Sequence, residues 1–75
     1  MSKPTRITNS IRALRFAREE MTQAELAQQI GVTRQTIIAI EQGRYSPSLE
    51  VAFQIARVFK VPLDQVFKYP EGESR

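Results

Sequence analysis

The stretch that decides the fold is TQAELAQQIGVTRQTIIAIEQG, which occupies Thr22–Gly43. Its first threonine is a strong helix N-cap, and Glu25, three residues later, completes a capping box. Gly31 and the closing glycine stand where the chain needs the left-handed conformation that ends a helix. The stretch therefore predicts two short helices, at about 22–30 and about 33–42, joined by a tight glycine turn.

Apolar residues recur at helical spacing through both predicted helices. We assign Leu26, Ile30, Ile37 and Ile40 to the core, and Ala27 is small because the two helices must approach closely. When these side chains face inward, the helical period turns another set outward. The outward set is Thr33, Arg34, Gln35, Ile38 and Ala39.

This outward set is suited to the edges of DNA bases. Arginine binds guanine through two hydrogen bonds, glutamine binds adenine in the same way, and an alanine methyl contacts the thymine methyl. Ile38 has two interpretations: it contacts a base, or it packs against a neighbouring loop. The second of the two helices is thus the candidate recognition helix.

Three further helices are predicted around this pair. The first begins at residue 9 or 10 and ends near residue 19 or 20, the fourth covers about 48–59, and a short fifth covers 63–67. Residues 7–8 and 66–69 are candidates for a small two-stranded sheet, and the N-terminal segment is otherwise a loose arm. The chain is therefore expected to be all-α.

The fourth predicted helix is apolar on almost every side, apart from one narrow polar stripe. Such a helix lies at the centre of a core or contributes to a subunit interface. We assign Phe53 and Phe59 to the core. Lys60 stands where glycine would end the helix more easily, and positive φ there would cost about 1 kcal/mol.

Composition excludes several classes of function. The 75 residues suffice for one domain, and they include no cysteine and no histidine. Thiolate catalysis, the usual general base and the commonest zinc ligands are therefore missing, so we expect no enzyme, cofactor or metal site. Without a signal peptide or a long apolar run, the protein is expected to be cytoplasmic and not bound to a membrane.

The net charge of +3 is unevenly distributed. Before residue 19 the chain carries five basic residues and no acidic one: Lys3, Arg6, Arg12, Arg15 and Arg18. This end of the chain either faces phosphate or is an ordinary solvated surface. Arg12 and Arg18 are assigned to the general basic surface.

Beyond these patterns, the chain resembles the phage-repressor and Cro type of helix-turn-helix proteins, often called XRE-like. The similarity extends from about Ile11 to Phe67 and is carried by residues 22–27, 31–37, 40–49 and 56–67. It implies a five-helix, lambda-repressor-like DNA-binding domain over 9–68. Residues 1–8 would be an arm or short strand, and 69–75 a tail.

The resemblance also implies roles for individual residues. The positions that match base-reading residues of the family are Thr33, Arg34, Gln35 and Ala39. The positions that match contacts to the DNA backbone are Gln23, Thr36, Gln42, Arg44 and Tyr45. Gln23 would also brace a reading side chain, and Tyr45 either contacts phosphate or covers the fourth helix.

In the family, a glutamate at Glu41 often pairs with an arginine of the first helix, and Arg15 is the candidate here. The link over 17–21 departs from the family pattern, since it is one residue longer and lacks a glycine. That departure affects where the first helix ends and whether the pair forms. An exposed pair would contribute little.

The function implied is a repressor that binds double-stranded DNA at a two-fold symmetric operator as a homodimer, without a small-molecule ligand. Two alternatives remain open from the sequence. One is an antitoxin-like regulator that also binds a partner protein. The other is a protein-interaction module that does not bind DNA, although the non-acidic face of Arg34 and Gln35 argues against it.

Overall fold

The computed structural model describes residues 5–44 and 46–70. Five helices and a two-stranded sheet are found there, as the sequence predicts. In chain order the elements are β1 (Thr8–Asn9), α1 (Ile11–Ala17), α2 (Gln23–Ile30), α3 (Arg34–Glu41), α4 (Leu49–Phe59), α5 (Leu63–Val66) and β2 (Phe67–Lys68). Residues 1–4 and 71–75, most of the expected arm and tail, lie outside the described ranges.

The small sheet joins the two ends of the domain. Its strands are antiparallel, with Thr8 opposite Lys68 and Asn9 opposite Phe67. The N-terminal strand thus starts one residue later than the predicted pair at 7–8. Directly after it, the amide of Ser10 donates to the carbonyl of Val66 at 2.9 Å, so the start of α1 is fixed against the end of α5.

The capping signals of the central stretch operate as predicted. Thr22 Oγ1 accepts from the amide of Glu25 at 3.0 Å, and the Glu25 carboxylate accepts from the Thr22 amide at 2.8 Å. Gly31 ends α2 with φ of 78°. Thr33 Oγ1 then accepts from the Thr36 amide at 3.2 Å and begins α3. Local hydrogen bonds therefore fix the turn between the two helices.

The core lies between α2, α3 and α4 and is closed by α1 and α5. Its fully buried side chains are Ile11, Leu26, Ile37, Ile40, Ile55 and Val66. The assignment of Ile30 and Phe59 to the core is also confirmed. The assignment of Phe53 is wrong, because its side chain is 53% exposed. Phe53 precedes Ile55 by two residues, and two residues rotate a side chain about 200° around a helix.

The first helix ends earlier than predicted. α1 stops at Ala17, and Glu19 and Glu20 adopt φ of 60° and 58°. The longer link has no glycine, so these two residues make the reversal at a cost of about 1–2 kcal/mol each. Lys60 does the same at the end of α4, with φ of 59°.

The fifth helix is one residue shorter than predicted. Phe67 leaves α5 because it enters the sheet opposite Asn9. Pro62 occupies the N-cap position, with extended backbone, and so precedes the first turn of that helix. Across the described part of the chain, no helix has the length and apolar character needed to cross a membrane.

Candidate nucleic-acid interface

The predicted base-reading residues lie along the outer side of α3. Thr33, Arg34 and Gln35 are exposed together at its start, and Ala39 follows one turn later, half-buried. The Thr33 hydroxyl lies 3.0 Å from the Thr36 hydroxyl as well as capping the helix, so its hydrogen-bonding capacity is partly used. Ile38 is half-buried, which both of its interpretations allow. Among the base-reading residues, the side chains of Arg34 and Gln35 are therefore the most available for contacts with bases.

The described members of the predicted backbone-contact set lie on α3 or beside it. Gln23 is half-buried at the first position of α2, and Thr36 is half-buried on α3. Gln42 and Arg44 are exposed just after α3, where Arg44 Nε donates to Gln42 Oε1 at 3.0 Å. Tyr45 lies outside the described residues. Gln23, Gln42 and Arg44 thus lie at the end of α3, and Thr36 lies on the helix itself.

A buried ion pair holds α3 against α1. Arg15 Nε lies 2.7 Å from Glu41 Oε2, and Nη2 donates to Oε1 at 3.2 Å. The third guanidinium nitrogen, Nη1, donates to the Met21 carbonyl at 2.8 Å. Each side chain of the pair is only 9% exposed. The predicted pairing is confirmed, and it is buried rather than superficial.

The side chain of Gln23 extends this network. Its Nε2 donates to Glu41 Oε1 at 3.2 Å, so one carboxylate accepts from both α1 and α2. The family resemblance implies that Gln23 braces a reading side chain. In this structure its amide instead braces the last residue of α3, and through it the Arg15 contact. The start of α2 and the end of α3 are therefore fixed relative to each other.

The sequence placed the start of the first helix at residue 9 or 10, but it did not indicate the contact of Asn9 with α3. Its Oδ1 accepts from the Ile11 amide at 3.1 Å, and its Nδ2 donates to the Ile40 carbonyl at 3.0 Å. The side chain thus holds the first amide of α1, just after the N-cap Ser10, and satisfies a carbonyl near the end of α3 at once. Asparagine is a common capping residue, which gave a signal for the first contact. The second joins residues far apart in the chain, and no local pattern indicates it.

A shallow concavity connects these elements on the outer surface. Its lining comes from α1, the link that follows, the start of α2, and α3: Arg12, Arg15, Phe16, Glu20, Met21, Thr22, Gln23, Ala24, Arg34 and Glu41. Gln23 and Arg34, which belong to the two predicted kinds of DNA contact, thus share one surface. Among the described residues, no group of histidine, cysteine, aspartate or glutamate side chains is placed to hold a metal ion.

Known proteins with a similar sequence are helix-turn-helix proteins. The family model described as helix-turn-helix matches residues 11–66. An uncharacterised HTH-type transcriptional regulator of Methanocaldococcus jannaschii is 51% identical over 57 residues, which cover 76% of this chain and 86% of the relative. The cryptic phage CTXphi transcriptional repressor RstR of Vibrio cholerae is 37% identical over 59 residues, covering 79% of this chain and 52% of RstR.

A solved structure shows the same architecture. The crystal structure of a candidate DNA-binding protein from Bacteroides fragilis superposes with a TM-score of 0.71 at 26% identity. The similarity covers 83% of this chain and 98% of that one. The family match extends over most of the chain and includes every helix described above. The chain belongs to the Cro/C1-type helix-turn-helix family and is a DNA-binding transcriptional regulator.

Proposed function

We propose that the protein is a repressor that binds a specific double-stranded operator, with α3 in the major groove. The observation that carries this proposal is the pair Arg34 and Gln35, exposed side by side on the first turn of a short helix that the Thr33 cap and an ion pair hold in place. Both side chains form paired hydrogen bonds with purine edges. The V. cholerae relative is named a repressor, which supports repression rather than activation.

Within this proposal, the other predicted residues complete the contact. Thr33 and Ala39 read neighbouring bases, the latter through its methyl group. The DNA backbone is held by Gln23, Thr36, Gln42, Arg44 and Tyr45. Contacts of this second kind fix the register of the protein on the duplex and carry no sequence information themselves.

We further propose that two copies bind together. A recognition helix of 8 residues reads only a few base pairs, and a two-fold operator supplies a second half-site. On α4, Leu49 is 68% exposed and Phe53 is 53% exposed, one turn apart on the same side. This apolar face, defined by Leu49 and Phe53, adjoins a groove lined by Ile7, Pro47, Leu63 and Phe67.

The partner on this face is a second copy of the chain. In a two-fold dimer the same patch meets itself, so apolar side chains are covered on both copies without any charge needing a partner. The face also follows the recognition helix closely in the chain, since α4 begins eight residues after α3 ends. A dimer formed there links two reading helices through a short connection.

We place the protein in the cytoplasm, where it binds the DNA of its operator. It acts as a binding protein without catalysis and without a small-molecule effector. These statements rest on family membership and on the exposed polar side of α3. Regulation then depends on the concentration of the protein, on a partner protein or on the dimer equilibrium.

The decisive experiment is selection of bound duplexes from a random DNA pool, followed by titration of the selected duplex against salt. We expect a two-fold symmetric site, with half-site centres about 10 base pairs apart. The site should bind at least about 1,000-fold more tightly than random DNA. Weak, steeply salt-dependent binding without an enriched sequence would reject the proposal, because phosphate attraction alone gives that result.

A further inference from the structure

The exposed side of α1 carries an aromatic ring close to two guanidinium groups. Phe16 is 53% exposed, and the guanidinium carbons of Arg12 and Arg15 lie 5.5 Å and 5.7 Å from its ring centroid. Both distances fall within the range of cation–π contacts. The ring therefore contributes to an outer surface and leaves the core to other residues.

The two arginines differ in their other contacts. All three guanidinium nitrogens of Arg15 donate to Glu41 or to the Met21 carbonyl. Within residues 5–44 and 46–70, the guanidinium of Arg12 has the ring contact alone, with no hydrogen bond or ion pair. Toward the described residues Arg12 thus uses none of its five N–H donors, which suits it to an external acceptor.

Arg12 and Phe16 border the predicted DNA-binding surface directly. They line the concavity that also contains Gln23 and Arg34. Of the two carboxylates in that lining, Glu41 already accepts three hydrogen bonds from Arg15 and Gln23, and Glu20 is exposed. Arg15 and Glu41 neutralise each other, so the lining keeps two exposed arginines, Arg12 and Arg34, against one exposed carboxylate. Its balance is therefore weakly cationic, with the apolar ring of Phe16 beside Arg12.

We propose that Arg12 binds a backbone phosphate of the operator, on the strand segment adjacent to the bases that α3 reads. Phe16 is a positioning residue: its ring holds the Arg12 guanidinium over the concavity and offers an apolar surface to the neighbouring deoxyribose. This inference rests on the proposed function, because it extends the same DNA contact onto α1. It separates Arg12 from the general basic surface to which the sequence alone assigns it.

Arg18 provides a matched control on the same segment. Its Nη1 donates to the Val58 carbonyl of α4 at 3.0 Å, so its guanidinium is directed toward α4. It lines a separate depression with Glu19, Glu25 and Gln28. Removal of either arginine lowers the net charge by the same amount. A difference between the two variants therefore reports position and not total charge.

The test measures operator binding by fluorescence anisotropy for the wild type, Arg12→Ala and Arg18→Ala over a range of salt concentrations. For Arg12→Ala we expect weaker binding to operator and random duplex alike. The magnitude of the slope of log K against log salt should fall by about 0.9, the value for one lost phosphate contact on B-DNA. From about 50 to about 200 mM salt, each such contact contributes about 3.5-fold. Arg18→Ala should leave the slope unchanged.

Phe16 is tested in two backgrounds. Phe16→Ala should weaken binding when Arg12 is present and change little when Arg12 is already alanine. Equal losses in both backgrounds would overturn the positioning role, because a merely structural defect does not depend on Arg12.

The two proposals fail in different ways. Equal slopes for Arg12→Ala and the wild type, or equal losses for the two arginine variants, would overturn the phosphate contact while the wild type still selects an operator. Failure of the wild type to select any sequence would reject the proposed function itself.

Discussion

Arg15 and Glu41 join the first helix to the end of the recognition helix through a two-point contact, with Nε 2.7 Å from Oε2 and Nη2 3.2 Å from Oε1. Burial makes this pair structurally important, because each side chain is only 9% exposed. Gln23 donates to the same carboxylate, so the pair also reaches the start of α2. One carboxylate at the end of α3 thus contacts both α1 and α2.

Loss of one member of this pair should be strongly destabilising. Arg15→Leu leaves a buried carboxylate without its cation, and we expect the free energy of unfolding to fall by about 3–5 kcal/mol. Urea denaturation monitored by circular dichroism measures this change in the free energy of unfolding. Arg18→Leu, which removes one exposed hydrogen bond to the Val58 carbonyl, should cost only about 0.5–1.5 kcal/mol.

A second variant separates the charge from the packing. In Arg15→Leu/Glu41→Leu no buried charge remains unpaired, and part of the lost stability should return. A loss below about 1 kcal/mol in the single variant would contradict the structural role given to the pair, since that is the range of exposed ion pairs.

The end of α4 offers a stabilising change. Lys60 has φ of 59°, a conformation that costs a residue with a Cβ about 1–2 kcal/mol. Lys60→Gly removes this strain but gives the unfolded chain more freedom, which offsets about 0.4–1 kcal/mol. We expect a net gain of about 0.5–1 kcal/mol in thermal or urea unfolding. Lys60→Ala is the control, because it removes the side chain and keeps the Cβ. If both variants were equally stable, backbone strain would not be the cause.

The fold was predictable where local chemistry decides it. The capping threonines and Gly31 act through hydrogen bonds and backbone conformations within a few residues, and the structure has them as expected. The ends of α1 and α5 were missed because they depend on distant parts of the chain. α5 gives up Phe67 to pair with Asn9, and α1 stops where the link to α2 must reverse.

Local patterns in the sequence could not predict which side chains lie on the surface or what they contact there. Phe53 and Phe59 are the same residue type on the same helix, yet one is 53% exposed and the other 5%. A helix that is apolar on nearly every side does not indicate which side meets the core. Arg12 and Arg18 are likewise equivalent in sequence, and only their neighbours in space, Phe16 and the Val58 carbonyl, distinguish them.

The exposure of Phe53 leads to a prediction about assembly. Phe53→Gln should shift the protein from dimer to monomer in sedimentation velocity measured without DNA, because it places a polar group in the proposed apolar contact. Stability of the monomer should change little. Phe59→Ala is the contrasting variant, since it empties the core and should cost about 3–5 kcal/mol. An unchanged dimer in Phe53→Gln would remove this face as the interface.

The proposed site gives two exposed arginines different roles in DNA binding. Arg34 stands on the first turn of α3, whereas Arg44 follows the helix and is held by Gln42. Arg34→Ala should cost about 1–3 kcal/mol of specific binding and relax the choice of base at one operator position. Arg44→Ala should weaken operator and random DNA by the same factor and reduce the salt slope by about 1. Binding titrations on the operator, its single-base variants and a random duplex measure both effects. A uniform loss for Arg34→Ala would assign it to phosphate, and a sequence-selective loss for Arg44→Ala would place that side chain among the base contacts.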